Sequence, residues 1–196
     1  MHKGRLEAFT DGVMAIIITI MVLELHEPAG PGLRDLFALW PVLISYVLSF
    51  IYVGIYWSNH HHMFQAVTAV DGRALWANLH LLFWLSLLPF CAGWIAADGL
   101  ARGPVGLFGF DLFMAALAYM VLQASLIRAQ GNKGLLARAV GTDGKGKGSI
   151  WLYLVGIAVD LAGWPGLAFA LLWVPALLWA VPDSRIERLL RGREKA

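Results

Sequence analysis

The chain has 196 residues, 59% of them hydrophobic and 14% charged, with a mean hydropathy of +0.68. That balance excludes an ordinary soluble domain and reads as a polytopic membrane protein. The net charge is only +2 and there is one cysteine, Cys91, which excludes an internal disulfide and any cysteine-based metal site.

Crossing about 30 Å of hydrocarbon takes roughly 20 helical residues. Six apolar runs are read as spans, at residues 6–25, 36–57, 74–97, 105–127, 150–163 and 165–181, the last two being short. The first opens with Arg5-Leu6-Glu7-Ala8-Phe9-Thr10-Asp11-Gly12, and no small-residue cleavage site precedes Glu24, so it is expected to be a retained helix and not a signal peptide. Breaks follow at Glu27-Pro28-Ala29-Gly30-Pro31-Gly32 and at residues 141–148, which are rich in glycine and lysine. Gly163-Trp164-Pro165-Gly166 is a tight turn that makes the last two runs a helical hairpin. The expected architecture is an all-α, six-span channel-like domain over residues 1–182, followed by a basic cytoplasmic tail over residues 183–196.

Orientation follows from the basic residues. With the N-terminus inside, the inner segments hold 13 of the 15 lysines and arginines, leaving only Arg34 and Arg102 outside. Both termini are thus expected in the cytoplasm. Trp57, Trp76, Trp151 and Trp179 fall at the inner interface, and Trp40, Trp94 and Trp164 at the outer one. The arginines of the tail read as topological retention with snorkelling, and nothing in them suggests nucleic acid.

On the first helix Ile16, Ile20 and Leu23 share one side, with Thr19 beside them and Gly12 one turn below. Four copies of that face around an axis would form stacked aliphatic rings; periodicity alone favours ordinary helix packing, since any membrane helix shows such stripes. Glu24 and Glu27, at the outer end, are either solvated acids or a carboxylate ring at a pore mouth. His60-His61-His62 offers imidazoles, but consecutive helical positions diverge by about 100°, so no single metal ion is expected there. Asp111 and Asp98 read as interfacial, and Asp160 as a cap or turn bond near the outer end of the fifth run.

Three blocks carry a resemblance. Arg5-x-x-x-Phe9-Thr10-Asp11, followed by Gly12-Val13-x-Ala15-Ile16-x-Ile18-Thr19, is similar to the Arg-x-x-x-Phe-Ser-Asp signature of the bacterial branch of the transmembrane-protein-175 family of potassium channels. Trp57-x-Asn59-His60-His61 resembles the block that ends the family's second helix. Leu75-Trp76-x-Asn78-Leu79, running on to Leu87-Leu88-Pro89-Phe90, is similar to its third. The blocks keep the family's order over residues 5–90, whereas the last three runs match only in hydropathy. Thr10 departs from the family's serine; it keeps the hydroxyl and adds a methyl.

The resemblance implies a homotetramer in the cell inner membrane, with the first helices lining a central pore for monovalent cations and preferring potassium. It assigns the constriction to Ile16, Ile20 and Leu23, hydroxyls to Thr19, support to Arg5, Phe9, Thr10 and Asp11, and an interhelical polar network to Asn59, His60, His61 and Asn78. Membrane lipid is then a partner, and no cofactor or bound metal is implied, the permeant ion itself being potassium. The residues leave one alternative, a proton-coupled secondary transporter using Asp11 with His60 and His61, although no inverted repeat is apparent. An enzyme is not expected, since no nucleophile has a base nearby.

Overall fold

A computed structural model describes residues 3–23, 25–131, 134–141 and 143–180, and every regular element among them is an α-helix. In chain order these are α1 (Lys3–Leu23), α2 (Leu33–Ala38), α3 (Trp40–Gln65), α4 (Gly72–Leu85), α5 (Leu88–Asp98), α6 (Arg102–Gln130), α7 (Leu135–Val140), α8 (Gly144–Leu161) and α9 (Pro165–Ala180). Glu24, Lys133, Val181 and the expected tail of residues 183–196 lie outside the described residues.

Local chemistry sets the boundaries. Pro41 occupies the first turn of α3, where its missing N–H is no loss. Asp71 caps α4 by accepting from the Ala74 amide at 2.9 Å. The third expected span is two helices, because Pro89 cannot donate to the Leu85 carbonyl; α4 ends there, and Ser86 and Leu87 form a turn before α5. Asp143 starts α8 six residues ahead of the apolar run by accepting from the Gly146 amide at 3.2 Å. Gly163, at φ +96°, closes the turn into α9 in a conformation that favours glycine.

Among the described residues four stretches are long and apolar enough to cross a membrane: Lys3–Leu23, Trp40–Gln65, Gly72–Asp98 and Arg102–Gln130. The chain is therefore a multi-pass helical membrane protein. α8 begins with Lys145 and Lys147 and α9 has 16 residues, so the final pair falls outside that set, although the two pack closely on each other.

α6 is the central element, packed on α4, α5, α8 and α9. Its buried stripe runs through Phe108, Leu112, Ala115, Ala118, Leu122 and Leu126. Small residues bring its neighbours close: a Cβ on Gly109 would touch Leu172 and Ile157, and one on Gly156 would touch Leu172. α1 stands at the edge of this assembly against α3, α4 and α5.

Candidate pore helix and its polar support

α1 has two unlike faces. Leu6, Thr10, Met14, Ile17 and Met21 recur at helical spacing and are buried. Arg5, Phe9, Ile16, Thr19, Ile20 and Leu23 are exposed, with Ile16 at 58%, Ile20 at 42% and Leu23 at 76%. Over residues 13–23 that open face carries only aliphatic side chains and threonine, whereas α3, α4 and α5 each expose tryptophan or phenylalanine. The Thr19 hydroxyl donates to the Ile16 carbonyl at 2.9 Å. Beside this face Pro89, Phe90 and Trp94 of α5 wall an apolar groove open to one side.

The buried face is tied down by hydrogen bonds. Asn78 on α4 is the hub: its Nδ2 donates to Thr10 Oγ1 at 2.8 Å, and its Oδ1 accepts from His60 Nε2 at 2.9 Å. All three side chains are at most 1% exposed. The His60 ring lies flat on Phe64, with centroids 4.3 Å apart. Because an unpaired buried polar group costs about 1–3 kcal/mol, each member holds the other two in place. The position and rotation of α1 are thereby linked to α3 and α4.

A second set of contacts lies at the surface nearby. Asp11 accepts from the Trp57 indole N–H at 2.9 Å, His61 stacks on Trp57, and Gln65 Nε2 donates to His61 Nε2 at 2.9 Å. Lys3 donates to the Phe64 carbonyl at 2.6 Å, in the last turn of α3 where carbonyls lack the regular i+4 amide partner. In the sequence Lys3 signals topology alone.

The structure thus brings Thr10, His60 and Asn78 together and sets the other proposed network members apart. The Asn59 side chain donates within α3 to the Ile55 carbonyl at 2.8 Å, and its backbone oxygen accepts from the Tyr119 hydroxyl at 3.3 Å. His61 is exposed. Arg5 makes no hydrogen bond or ion pair among the described residues, and Phe9 is 52% exposed. Among the described residues no three histidine, cysteine, aspartate or glutamate side chains converge as metal ligands would.

One expectation is corrected. Asp111 does not face solvent or surface; it is 1% exposed, and both its carboxylate oxygens lack hydrogen-bond partners among the described residues. α6 begins at Arg102, earlier than the apolar run, which puts Asp111 about 13 Å along the helix. Asp160 is buried near the end of α8, where its backbone oxygen accepts from Arg102 Nε at 3.2 Å.

Fold and site together define a multi-pass helical membrane protein with an exposed aliphatic helix face at its edge. The family described as the endosomal/lysosomal potassium channel TMEM175 matches residues 5–89. Over 191 residues the chain is 49% identical to a potassium channel of Chryseobacterium sp. (strain P1-3), covering 97% of this chain and 99% of that one. Its fold matches the crystal structure of a lysosomal potassium-selective channel TMEM175 homolog from Chamaesiphon minutus with a TM-score of 0.79, at 26% identity, over 92% of this chain and 97% of that chain. It is also 36% identical over 96 residues to the endosomal/lysosomal proton channel TMEM175 of Homo sapiens, which is 42% of this chain and 19% of that protein. The chain belongs to the TMEM175 family, in its bacterial branch. The family and these relatives are channels and not enzymes.

Proposed function

We propose that this protein is a potassium-preferring cation channel, a homotetramer of six-span subunits whose α1 helices line a central pore. It conducts passively in the cell inner membrane with both termini in the cytoplasm. The observation that carries this reading is the asymmetry of α1: one face is pinned by the buried Thr10–Asn78–His60 bonds, while the other leaves Ile16, Thr19, Ile20 and Leu23 exposed, with Ile16 and Ile20 bordering an open groove beside α5. The relatives named as potassium channels support it.

The physics is that of a hydrophobic constriction. Four Ile16 side chains facing one axis exclude water when close together and admit a hydrated cation when the ring widens slightly. Ile20 and Leu23 add further rings, and Thr19 supplies hydroxyl oxygens to a partly dehydrated ion. Potassium sheds its water more readily than sodium, so a dry, narrow ring favours it.

Single-channel recording in planar bilayers, with potassium on one side and sodium on the other, tests the reading. The native chain should give unitary currents reversing toward the potassium potential. Ile16→Asn should conduct more and select less, because an amide ring stays wet. Unchanged permeation in that variant removes α1 from the pore. Electrical silence together with proton-driven flux in liposomes favours the transporter built on Asp11, His60 and His61.

A further inference from the structure

A second groove lies on the outside of the bundle, between α4 and α6 and away from α1. Its walls are Arg73, Trp76 and His80 on α4, with Val121 and Ser125 on α6. Arg128 stands one turn beyond Ser125 and is exposed, as is Arg73. Both arginines sit at one end of the groove, since Gln130 at the end of α6 donates to the Ala69 carbonyl in the loop leading into α4. At the other end the Trp84 ring packs edge-on against Phe110, with centroids 5.9 Å apart, and bridges the two helices.

Polarity therefore changes in order along the groove. Two guanidinium groups stand at the mouth, and an indole that is 76% exposed follows at Trp76. His80 comes next, its Nε2 accepting from the Trp84 N–H at 3.0 Å, and the aromatic Trp84–Phe110 pair lies beyond it. That is the order of a phospholipid: anionic headgroup, interfacial glycerol, acyl chain. The length agrees as well. From Arg73 to Trp84 the helical rise is about 16 Å, close to half of the roughly 30 Å hydrocarbon core and so to one leaflet. Basic pockets between membrane helices on the cytoplasmic side are where anionic headgroups bind, and an exposed tryptophan at that depth suits the interface.

We propose that this groove holds one anionic phospholipid per subunit, with its phosphate on Arg73 and Arg128 and one acyl chain laid along Trp76 and Val121 beneath the Trp84–Phe110 pair. Assignment to the cytoplasmic leaflet rests on the orientation proposed above. The preference for negative charge does not, and it is measurable without ion flux.

The test is native mass spectrometry of the full chain in detergent, titrated with phosphatidylglycerol or with phosphatidylcholine of the same acyl chains. One phosphatidylglycerol per chain should be retained. Each arginine beside an anionic lipid contributes about fivefold in affinity, so the retained lipid should exceed phosphatidylcholine by roughly twenty-fivefold. Arg73→Gln with Arg128→Gln should abolish that preference while the lipid-free unfolding temperature stays unchanged. Val121→Trp keeps both charges and fills the groove, and should weaken binding of both lipids; this variant decides the matter if the double variant does not fold. Retention of phosphatidylglycerol undiminished in either variant overturns the proposal. So does a change of oligomeric mass in the double variant with lipid preference intact, which would mean that a second copy of the chain covers the groove.

Discussion

Residues 3–98 and residues 102–180 both pack helices side by side, but different forces set their geometry. In the first region buried side chains bond to one another across three helices, through Thr10, Asn78 and His60. In the second, the interhelical side-chain bonds lie toward the helix ends, from Arg102 to the Asp160 and Leu161 carbonyls and from Trp179 to Ser149, and between them small residues allow close approach: Gly106 sits against the Asp160 carboxylate, and Gly109 and Gly156 against Leu172. A hydrogen bond specifies an atom and so fixes the rotation of a helix about its axis. Apolar contact between small residues sets distance while leaving rotation less constrained. The proposed pore needs a helix whose rotation is fixed to within one residue, and the polar region is the one that supplies it.

Breaking the hub should have the largest effect. Asn78→Leu keeps volume but leaves the His60 N–H and the Thr10 hydroxyl without their partner, at a cost of about 1–3 kcal/mol for each buried group left unsatisfied. Thermal unfolding in detergent should show that loss, and Thr10→Ser, which retains the hydroxyl, should nearly match the native protein. If Asn78→Leu unfolds at the native temperature, the polar region is not held by this network.

The packing region should respond to size instead. A Cβ on Gly106 would lie 2.6 Å from Asp160 Oδ2, whereas one on Gly109 would meet its nearest atom at 3.4 Å. Gly106→Ala should therefore destabilise by roughly 1–2 kcal/mol and Gly109→Ala by little, as read from unfolding midpoints. Equal effects at the two glycines would remove close approach as the organising force there.

The smallest effect is expected at the surface. Trp57→Phe deletes the bond to Asp11 at an exposed site and should cost under about 1 kcal/mol. A larger loss measured in the assembled protein than in a dissociated subunit would show that Asp11 and Trp57 also serve contacts between copies.

Much of the helical layout was legible beforehand because hydropathy and turn chemistry are local. The run at residues 105–127 lies inside α6, and the Gly163-Trp164-Pro165 turn joins α8 to α9. The differences are of two kinds, local and tertiary. The break after Leu85 and the early start of α8 were signalled by Pro89 and Asp143 and could have been seen. The burial of Asp111 could not, since nothing in its flanking residues says which helices will surround it. Likewise His60, His61 and Asn59 are adjacent polar residues of one block, and only the approach of α4 selects His60 as the partner of Asn78.

The three consecutive isoleucines of α1 mark the boundary most clearly. Composition and spacing determined by themselves that residues 16–18 lie in an apolar membrane helix, because hydrophobicity is a property of the side chains alone. Yet Ile17 is 4% exposed and its neighbour Ile16 is 58% exposed, although the residues are identical. Which one turns outward was decided by tertiary structure, through the bond from Asn78 to Thr10 and the packing of Met14 and Met21. Those contacts fix the rotation of a helix on which one residue is worth about 100°.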